Sequence, residues 1–549
     1  MSLKPRPVHP VPEETVRVAR AAFPKGNVYM TLRDKLGPIF QDEDFADLFP
    51  KEGQPALPPW RLALVTIIQF REDLSDRQAA EAVRGRIDWK YLLGLELTDA
   101  GFDFSVLSEF RGRLLEGGKE AILLDKLLER CRELGLVKGR GKQRTDATHI
   151  LAAIRGLNRL ELVAETMRAS LNEIAKAAPE WLRQMAPAEW YERYSRRVED
   201  DKLPQSKEQR EVYGQRIGED GFLLLDLLKG TEAPKGLTKL PQVQVLQWVW
   251  QRHYERKERQ VRFRAAGESR PTGGDMESPY DTDARFCRRL PKEWIGYMTH
   301  FSESCDEDTV HLITHVETTL ATVHESQKVA TIHQALQDKG LPPQEHLVDS
   351  AYVDAQLLVS SREQFGISLV GSGRPDSSWQ AKVEGAYDRY CFQIDWEQKR
   401  VLCPQGKQSM FWREFADQYG PYYQVVFHRD DCGMCQARAL CTRDKKKPRA
   451  LRIQPKAQYE ALLAARQLQG TEAGRRLYGK RAGIEGTISQ GVRGFGLRRT
   501  RYRGLAKRHL KHLATAAAIN FERLGAWFDE RPQAMTRKSS FARLAPLAA

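Results

Sequence analysis

The chain predicts an α/β fold, a mixed-sheet core preceded by an all-α N-terminal domain and interrupted by a helical insertion and a small cysteine-rich insertion. Three observations predict it. Apolar residues recur at helical spacing over roughly the first 140 residues; from Trp294 to Gly371 short apolar runs read as strands that first pair and then alternate with helices; and half of the cysteines crowd between Cys403 and Cys441.

Within residues 1–140, the apolar stretch from Trp60 to Phe70 is one helix. Ser75 caps another that carries Ala79, Ala80 and Val83 and leads to Trp89-Lys-Tyr-Leu-Leu93, and Ser105 is a second cap ahead of Val106, Phe110 and Leu114. Helix, turn and helix in a basic protein suit a DNA-binding domain, and a purely packing role fits the pattern equally well. Residues 141–372 form the first part of the core. Its helical insertion, at about 155–275, is dense in charge, has apolar Leu157, Leu160, Leu162, Val163 and Met167, and ends in a linker at Ala265 to Gly274. Trp294 to His300 and His311 to Glu317 are neighbouring strands around the acidic loop Cys305-Asp-Glu-Asp308. A helix over Thr331 to Asp338, a strand ending at Asp349, a helix from Asp354 to Phe365 and a strand at Ile367 to Gly371 follow. Residues 373–454 make the cysteine-rich insertion and 455–525 the C-terminal part of the core, with Leu505, His509, Leu513, Ala516, Ala517, Asn520 and Leu524 on one helical stripe; 526–549 is a flexible tail.

A net charge of +14 and a pI near 9.3 favour a polyanionic partner. No apolar run approaches the ~20 residues that span a bilayer, and the N-terminus lacks an apolar signal core, so a cytoplasmic, DNA-bound protein is expected rather than a membrane-bound one. From Arg475 to Lys511 the only acid among many basic residues is Glu485. Gly491 to Gly496 and the cluster Arg498, Arg499, Arg501 and Arg503 read as a flexible basic surface whose backbone approaches phosphates closely.

Asp146, Asp349 and Glu485 lie far apart in sequence, each placed to present a carboxylate. Asp146 follows the basic run Lys138 to Arg144, Asp349 ends His346-Leu-Val-Asp349 ahead of Ser-Ala-Tyr352, and Tyr478, Arg481 and Glu485 share one helical face. Two divalent ions held by such hard oxygen donors, ~3.5–4 Å apart, cleave phosphodiesters without a nucleophilic side chain. Asp281 and Asp283 are read instead as braces of a turn.

Arg144-Thr-Asp-Ala-Thr148, Val348-Asp-Ser-Ala-Tyr352 and Tyr478-x2-Arg481-x3-Glu485 resemble the DDE transposases of bacterial insertion sequences, and Leu57 to Arg61 with Leu74 to Ala80 resembles the helical domain preceding their core. The resemblance implies a ribonuclease H-like core and cleavage and strand transfer at terminal inverted repeats. It further implies two Mg2+ ions (or Mn2+) on Asp146, Asp349 and Glu485, phosphate positioning by Tyr478 and Arg481, target DNA as second partner, a homodimer in the DNA complex, and a place at the bacterial nucleoid. Family members often carry Lys seven residues after the Glu; here Val492 stands there, with Arg493 next to it.

Without a secretory signal a disulfide framework is not expected. Cys432-Gly-Met-Cys435 with Cys403 and Cys441 supplies four thiolates for a tetrahedral Zn2+, a redox pair or ordinary buried thiols being the other readings. Trp379, Trp396 and Trp412 stack on unpaired bases or, as the default, pack a core. Two rival functions remain: a stand-alone nuclease with the same carboxylates, and a non-enzymatic, zinc-held DNA-binding protein.

Overall fold

The computed structural model describes residues 1–531 except 259, 266–267, 269–275, 373–377 and 419. Most of the expected linker at Ala265 to Gly274, and the expected tail beyond Arg531, lie outside the described residues.

Helices α1 (Glu13–Ala22), α2 (Val28–Leu36), α3 (Pro59–Arg71), α4 (Asp76–Gly85), α5 (Ile87–Leu93), α6 (Ser105–Glu116) and α7 (Ile122–Glu133) come first. Apolar residues on every side of α3 bury it almost completely. A capping box opens α4: Ser75 Oγ accepts from the Gln78 amide while the Gln78 side chain accepts from the Ser75 amide. Ser105 is not a cap. It is the first residue of α6, and the Asp103 carboxylate accepts its N–H instead, because an Asp two residues upstream closes the turn that enters the helix.

Strand β1 (Lys142–Leu151) is followed by a helical body of α8 (Arg159–Ala177), α9 (Pro179–Met185), α10 (Ala188–Tyr194), α11 (Lys207–Lys229) and α12 (Pro241–His253), closed by the hairpin β2 (Tyr254–Lys257) and β3 (Gln260–Phe263). Its own core includes Met167, Trp190, Leu224, Trp250 and Tyr254. Helix α11 approaches this core closely because of glycine: a Cβ on Gly221 would stand 2.1 Å from the Trp250 ring.

The chain then returns to β1 and builds the main sheet with β4 (Arg285–Arg289), β5 (Lys292–Ser304), β6 (Ile313–Leu320), α13 (Val329–Asp338), β7 (Glu345–Val348), α14 (Ala355–Phe365) and β8 (Ser368–Gly371). Strand β5 runs antiparallel to β4, β6 and β1, whereas β7 is parallel to β1 and β8 to β7. The sheet is therefore mixed, with β1 at the seam between its antiparallel and parallel halves. Asp354 caps α14, accepting the Leu357 N–H at 2.8 Å.

A smaller body follows: β9 (Gln393–Asp395) with β10 (Arg400–Leu402), the sheet β11 (Ser409–Asp417), β12 (Gly420–Phe427) and β13 (Ala450–Ile453), and the short α15 (Arg429–Gly433) and α16 (Arg438–Cys441). Phe392, Val401, Val425, Phe427, Leu451 and Ile453 form its core. Trp396 and Trp412 pack edge to face on each other, with Tyr423 against both, so core packing holds for that pair. Helices α17 (Lys456–Gly470), α18 (Glu472–Gly479), α19 (Gly483–Gly494) and α20 (Leu505–Phe528) complete the chain. Helix α20 lies between β6 and α3, and its buried stripe joins the N-terminal helices and the sheet in one hydrophobic core.

Candidate functional site

The parallel register of β1 and β7 runs from Lys142↔Glu345 to Thr145↔Val348. The next residues along are Asp146 and Asp349, so both aspartates emerge at the same level from adjacent strands. Asp146 Oδ1 accepts the Ala147 amide at 2.7 Å, and Asp349 Oδ1 accepts the Ser350 amide at 2.6 Å, starting a single turn of 3-10 helix at Ser350–Tyr352. That turn is pinned to β5 by the buried Tyr352 hydroxyl, 2.7 Å from His300 Nδ1. Beside it, Thr145 Oγ1 shares hydrogen bonds of 2.6 Å with Ser302 Oγ and with His346 Nε2, and His346 in turn meets His333. Burial pushes His300 and His333 down to about 4, so the floor under the aspartates is polar but uncharged near neutral pH.

Glu485 arrives by a different route. The continuous helix expected from Tyr478 to Glu485 is interrupted: α18 ends at Gly479, Lys480–Ala482 tighten into a 3-10 turn, and α19 restarts at Gly483. Gly479 and Gly483 in that stretch, and Gly486 just after it, weaken the helix, each by ~1 kcal/mol relative to Ala, and the turn is where it gives way. Arg481 still reaches both sides. Its Nη1 lies 3.3 Å from Asp146 Oδ2 and its Nη2 2.6 Å from Glu485 Oε1, and its guanidinium sits 5.7 Å from the centre of the Tyr478 ring. Burial pushes the Asp146 carboxyl up to about 6; the Ala147 amide and Arg481 pull it down, while Asp349 and Glu485 push it further up. Arg481 thus stands between Asp146 and Glu485, with Asp349 next to Asp146 at the end of the neighbouring strand.

Among the described residues no group of three or more His, Cys, Asp or Glu side chains stands at metal-binding separation. The donor chemistry nevertheless fits a hard divalent cation: all three candidate ligands are carboxylates, one of them a carboxyl that burial and its acidic neighbours hold protonated to higher pH, and a cationic group already bridges two of the three.

A buried network that the sequence reading did not single out holds Glu485's helix in place. Glu303, in β5, is fully buried and accepts from Arg144 Nε at 2.6 Å and from Arg523 Nη1 at 2.9 Å, with the Thr487 hydroxyl as a further donor. Burial alone would raise its pKa, but Arg523 and Arg144 hold it below the usual glutamate range. Arg144 also donates to the Lys480 carbonyl at 2.6 Å, in the turn ahead of α19. One carboxylate therefore ties β1, β5, α19 and α20 together. The available signal was strand alternation, which puts Glu303 on the same face as Phe301, away from the acidic loop that follows.

The basic tract divides. Arg508 is fully buried, paired with Asp281 at 2.9 Å and bonded to the Leu151 carbonyl; Lys511 is buried and donates to the carbonyls of Gly496 and Arg499. These two correct the expectation of one flexible basic surface: from helix α20 their side chains satisfy carbonyls of the strand end and loop packed against it, at Leu151, Gly496 and Arg499. Asp281 and Asp283 act as braces, accepting the amides of Gly504 and Leu505 at the start of α20. Arg498 is partly buried and donates to Thr148 Oγ1 at 2.9 and 3.1 Å, one turn of strand beyond Asp146, whereas Arg493, Arg499, Arg501 and Arg503 are exposed.

Cys403, Cys432, Cys435 and Cys441 line one small cavity together with Lys407 and Asp431. All are free thiols, and the Lys407 and Arg449 amides point at the sulfurs of Cys403 and Cys432, at 3.4 and 3.5 Å. Burial pushes Cys441 up to about 11, with the other three thiols adding to the rise.

In this mixed α/β fold, two neighbouring aspartates and a glutamate linked to one of them through Arg481 make up the candidate site. The comparison with known families is narrower. Residues 402–525 match the family model described as Transposase DDE domain, and residues 17–113 match that described as Transposase domain (DUF772). The resemblance to the DDE transposases of insertion sequences therefore holds at both ends of the chain. The first segment contains the four clustered cysteines, Tyr478, Arg481 and Glu485, and the second spans α2 to α5; neither includes Asp146 or Asp349. No curated protein and no solved structure matches the chain. No helix among the described residues is long and apolar enough to cross a membrane.

Proposed function

We propose that the chain is a transposase that cuts DNA at the terminal inverted repeats of an insertion sequence and joins the freed strand to target DNA. Asp146, Asp349 and Glu485 are its catalytic carboxylates. The observation that carries this reading is the β1/β7 register, which leads to two aspartates side by side, together with the Arg481 contacts that link Asp146 to Glu485. The order β6, β5, β1, β7, β8, antiparallel and then parallel, supports a ribonuclease H-like core.

The three carboxylates would hold two Mg2+ ions, or Mn2+ in their place, which supply an activated water or 3′-hydroxyl and stabilise the leaving oxygen. Arg481 then exchanges its carboxylate partners for a DNA phosphate, with Tyr478 beneath it limiting where the guanidinium can go. Arg493, Arg498, Arg499, Arg501 and Arg503 grip the backbone on either side, and the protein acts on DNA at the bacterial nucleoid as a homodimer that pairs two ends. Cys403, Cys432, Cys435 and Cys441 would hold a structural Zn2+ after drawing closer together, since no three of them stand at metal-binding separation; the shared cavity and the two amide-to-sulfur hydrogen bonds support that assignment.

The test is cleavage and strand transfer on DNA carrying the element's own ends, with Mg2+, for the wild type and for Asp146→Asn, Asp349→Asn and Glu485→Gln. The expected result is both reactions in the wild type and neither in any variant, with DNA binding retained. Cleavage without joining would make the protein a nuclease, and full activity in any variant would remove that residue from the site.

A further inference from the structure

A second cationic site lies at the far end of β1. Where β1 hands over to the helical body, Ala152, Ala153, Ile154 and Leu157 floor a cleft of about 520 Å3. Its polar lining is four arginines, Arg155, Arg168, Arg197 and Arg503, with Tyr280, Ser278 and a single acid, Glu165.

The four arginines are not equivalent. Arg155 pairs with Glu161 at 2.7 Å and Arg168 with Glu165 at 3.0 Å, while Glu165 also accepts from the Tyr280 hydroxyl and the Val198 amide, both at 2.6 Å. The cleft's one carboxylate is thus fully engaged within the wall. Arg197 and Arg503 are exposed and have no acidic partner among the described residues, and Arg503 reaches over the Tyr280 ring at 5.6 Å. The cleft carries surplus positive charge, set on a rigid wall by buried pairs, with two uncommitted guanidinium groups at its mouth.

Its position suggests the occupant. The loop from Phe495 to Gly504 runs alongside β1: Arg498 bonds Thr148, the Arg498 carbonyl accepts the Leu151 amide, and the same loop delivers Arg503 to the cleft. Exposed Arg499 and Arg501 fall between those two arginines in sequence. A cationic path therefore leads from Asp146 to the cleft. Five residues of strand, at ~3.4 Å each, make it about 17 Å long.

We infer that this cleft, formed between the helical body and the sheet, binds backbone phosphates of the same DNA whose reacting phosphate lies at the carboxylates, with Arg197 and Arg503 as its principal contacts. The inference rests on the DNA-handling reading above, but it is a statement about binding and can be tested with no chemistry taking place.

The experiment uses the full chain in EDTA and a fluorescein-labelled duplex, with Kd measured by anisotropy across a range of NaCl concentrations. Each phosphate contact contributes roughly 0.9 to the slope of log K against log salt, so Arg197→Ala/Arg503→Ala should lower that slope by about 2. Removing two exposed arginines that are paired elsewhere, in Arg17→Ala/Arg183→Ala, should leave it unchanged. An unchanged slope in the cleft variant, or an equal fall in the control, overturns the proposal. So does loss of inorganic pyrophosphate binding with DNA binding intact, which would mark a small-anion site. The double variant in an Asp146→Asn/Asp349→Asn background should give the same fall, which keeps the result separate from whether the carboxylates catalyse anything.

Discussion

The two aspartates and the glutamate of the candidate site are held by opposite means. Asp146 and Asp349 project from neighbouring strands whose register is fixed by main-chain hydrogen bonds, over a floor of neutral histidines and hydroxyls; Glu485 sits just past a break in a glycine-containing helix, with 59% of its side chain exposed against 21% for Asp146. The sheet half is rigid through its backbone. The helical half depends on side chains, above all on Glu303 and the two arginines it neutralises. One half is therefore held by its main chain, and the other by side-chain contacts.

That contrast can be broken most forcefully at Glu303. Glu303→Ala leaves Arg144 and Arg523 without their shared carboxylate in a dry interior and should cost about 3–5 kcal/mol, read as a fall in the urea midpoint. Amide exchange should quicken in α19 well before it does in β1 or β7; equal loosening of both would erase the distinction. Acid should act on the other half. His300 and His333 are pushed down to about 4 by burial, so each favours folding above its ordinary pKa of ~6.5 and loses that contribution as pH falls toward 4. Stability should drop by of order 1 kcal/mol per histidine between pH 7 and 5, and a flat urea midpoint over that range would contradict the neutral floor.

Smaller effects separate the glycines around Glu485. A Cβ on Gly483 would stand 2.0 Å from the Arg144 guanidinium, which Glu303 and the Lys480 carbonyl hold in place, so Gly483→Ala should destabilise by about 1–3 kcal/mol. Gly486 faces open space, and Gly486→Ala should stabilise by about 0.5–1 kcal/mol. Thermal melts of the two variants shifting in the same direction would remove the argument that only Gly483 is required by packing.

Much of this architecture was legible in the sequence because it is locally encoded. The paired strands around the acidic loop, the helix capped by Asp354 and the strand leading to Asp349 each carry their signal within a dozen residues. The unread parts depend on distance. Glu303 looks like one more acid ahead of Asp306, Glu307 and Asp308, since its partners Arg144 and Arg523 are 159 and 220 residues away. Arg508 and Lys511 read as part of a phosphate-binding tract for the same reason: only the fold shows that Asp281 and the loop carbonyls claim them. The break at Lys480 to Ala482 was foreshadowed by its flanking glycines, yet the helical spacing of Tyr478, Arg481 and Glu485 pointed to a continuous helix.

The most direct test of the central claim is Mn2+ binding, followed by electron paramagnetic resonance, to the wild type and to Asp146→Asn, Asp349→Asn and Glu485→Gln in the presence of DNA. If the three carboxylates form one site, each substitution weakens Mn2+ binding while the protein stays folded and DNA-bound. If all three variants bind Mn2+ as the wild type does, the carboxylates are neighbours without being ligands, and the site described here is not a metal centre.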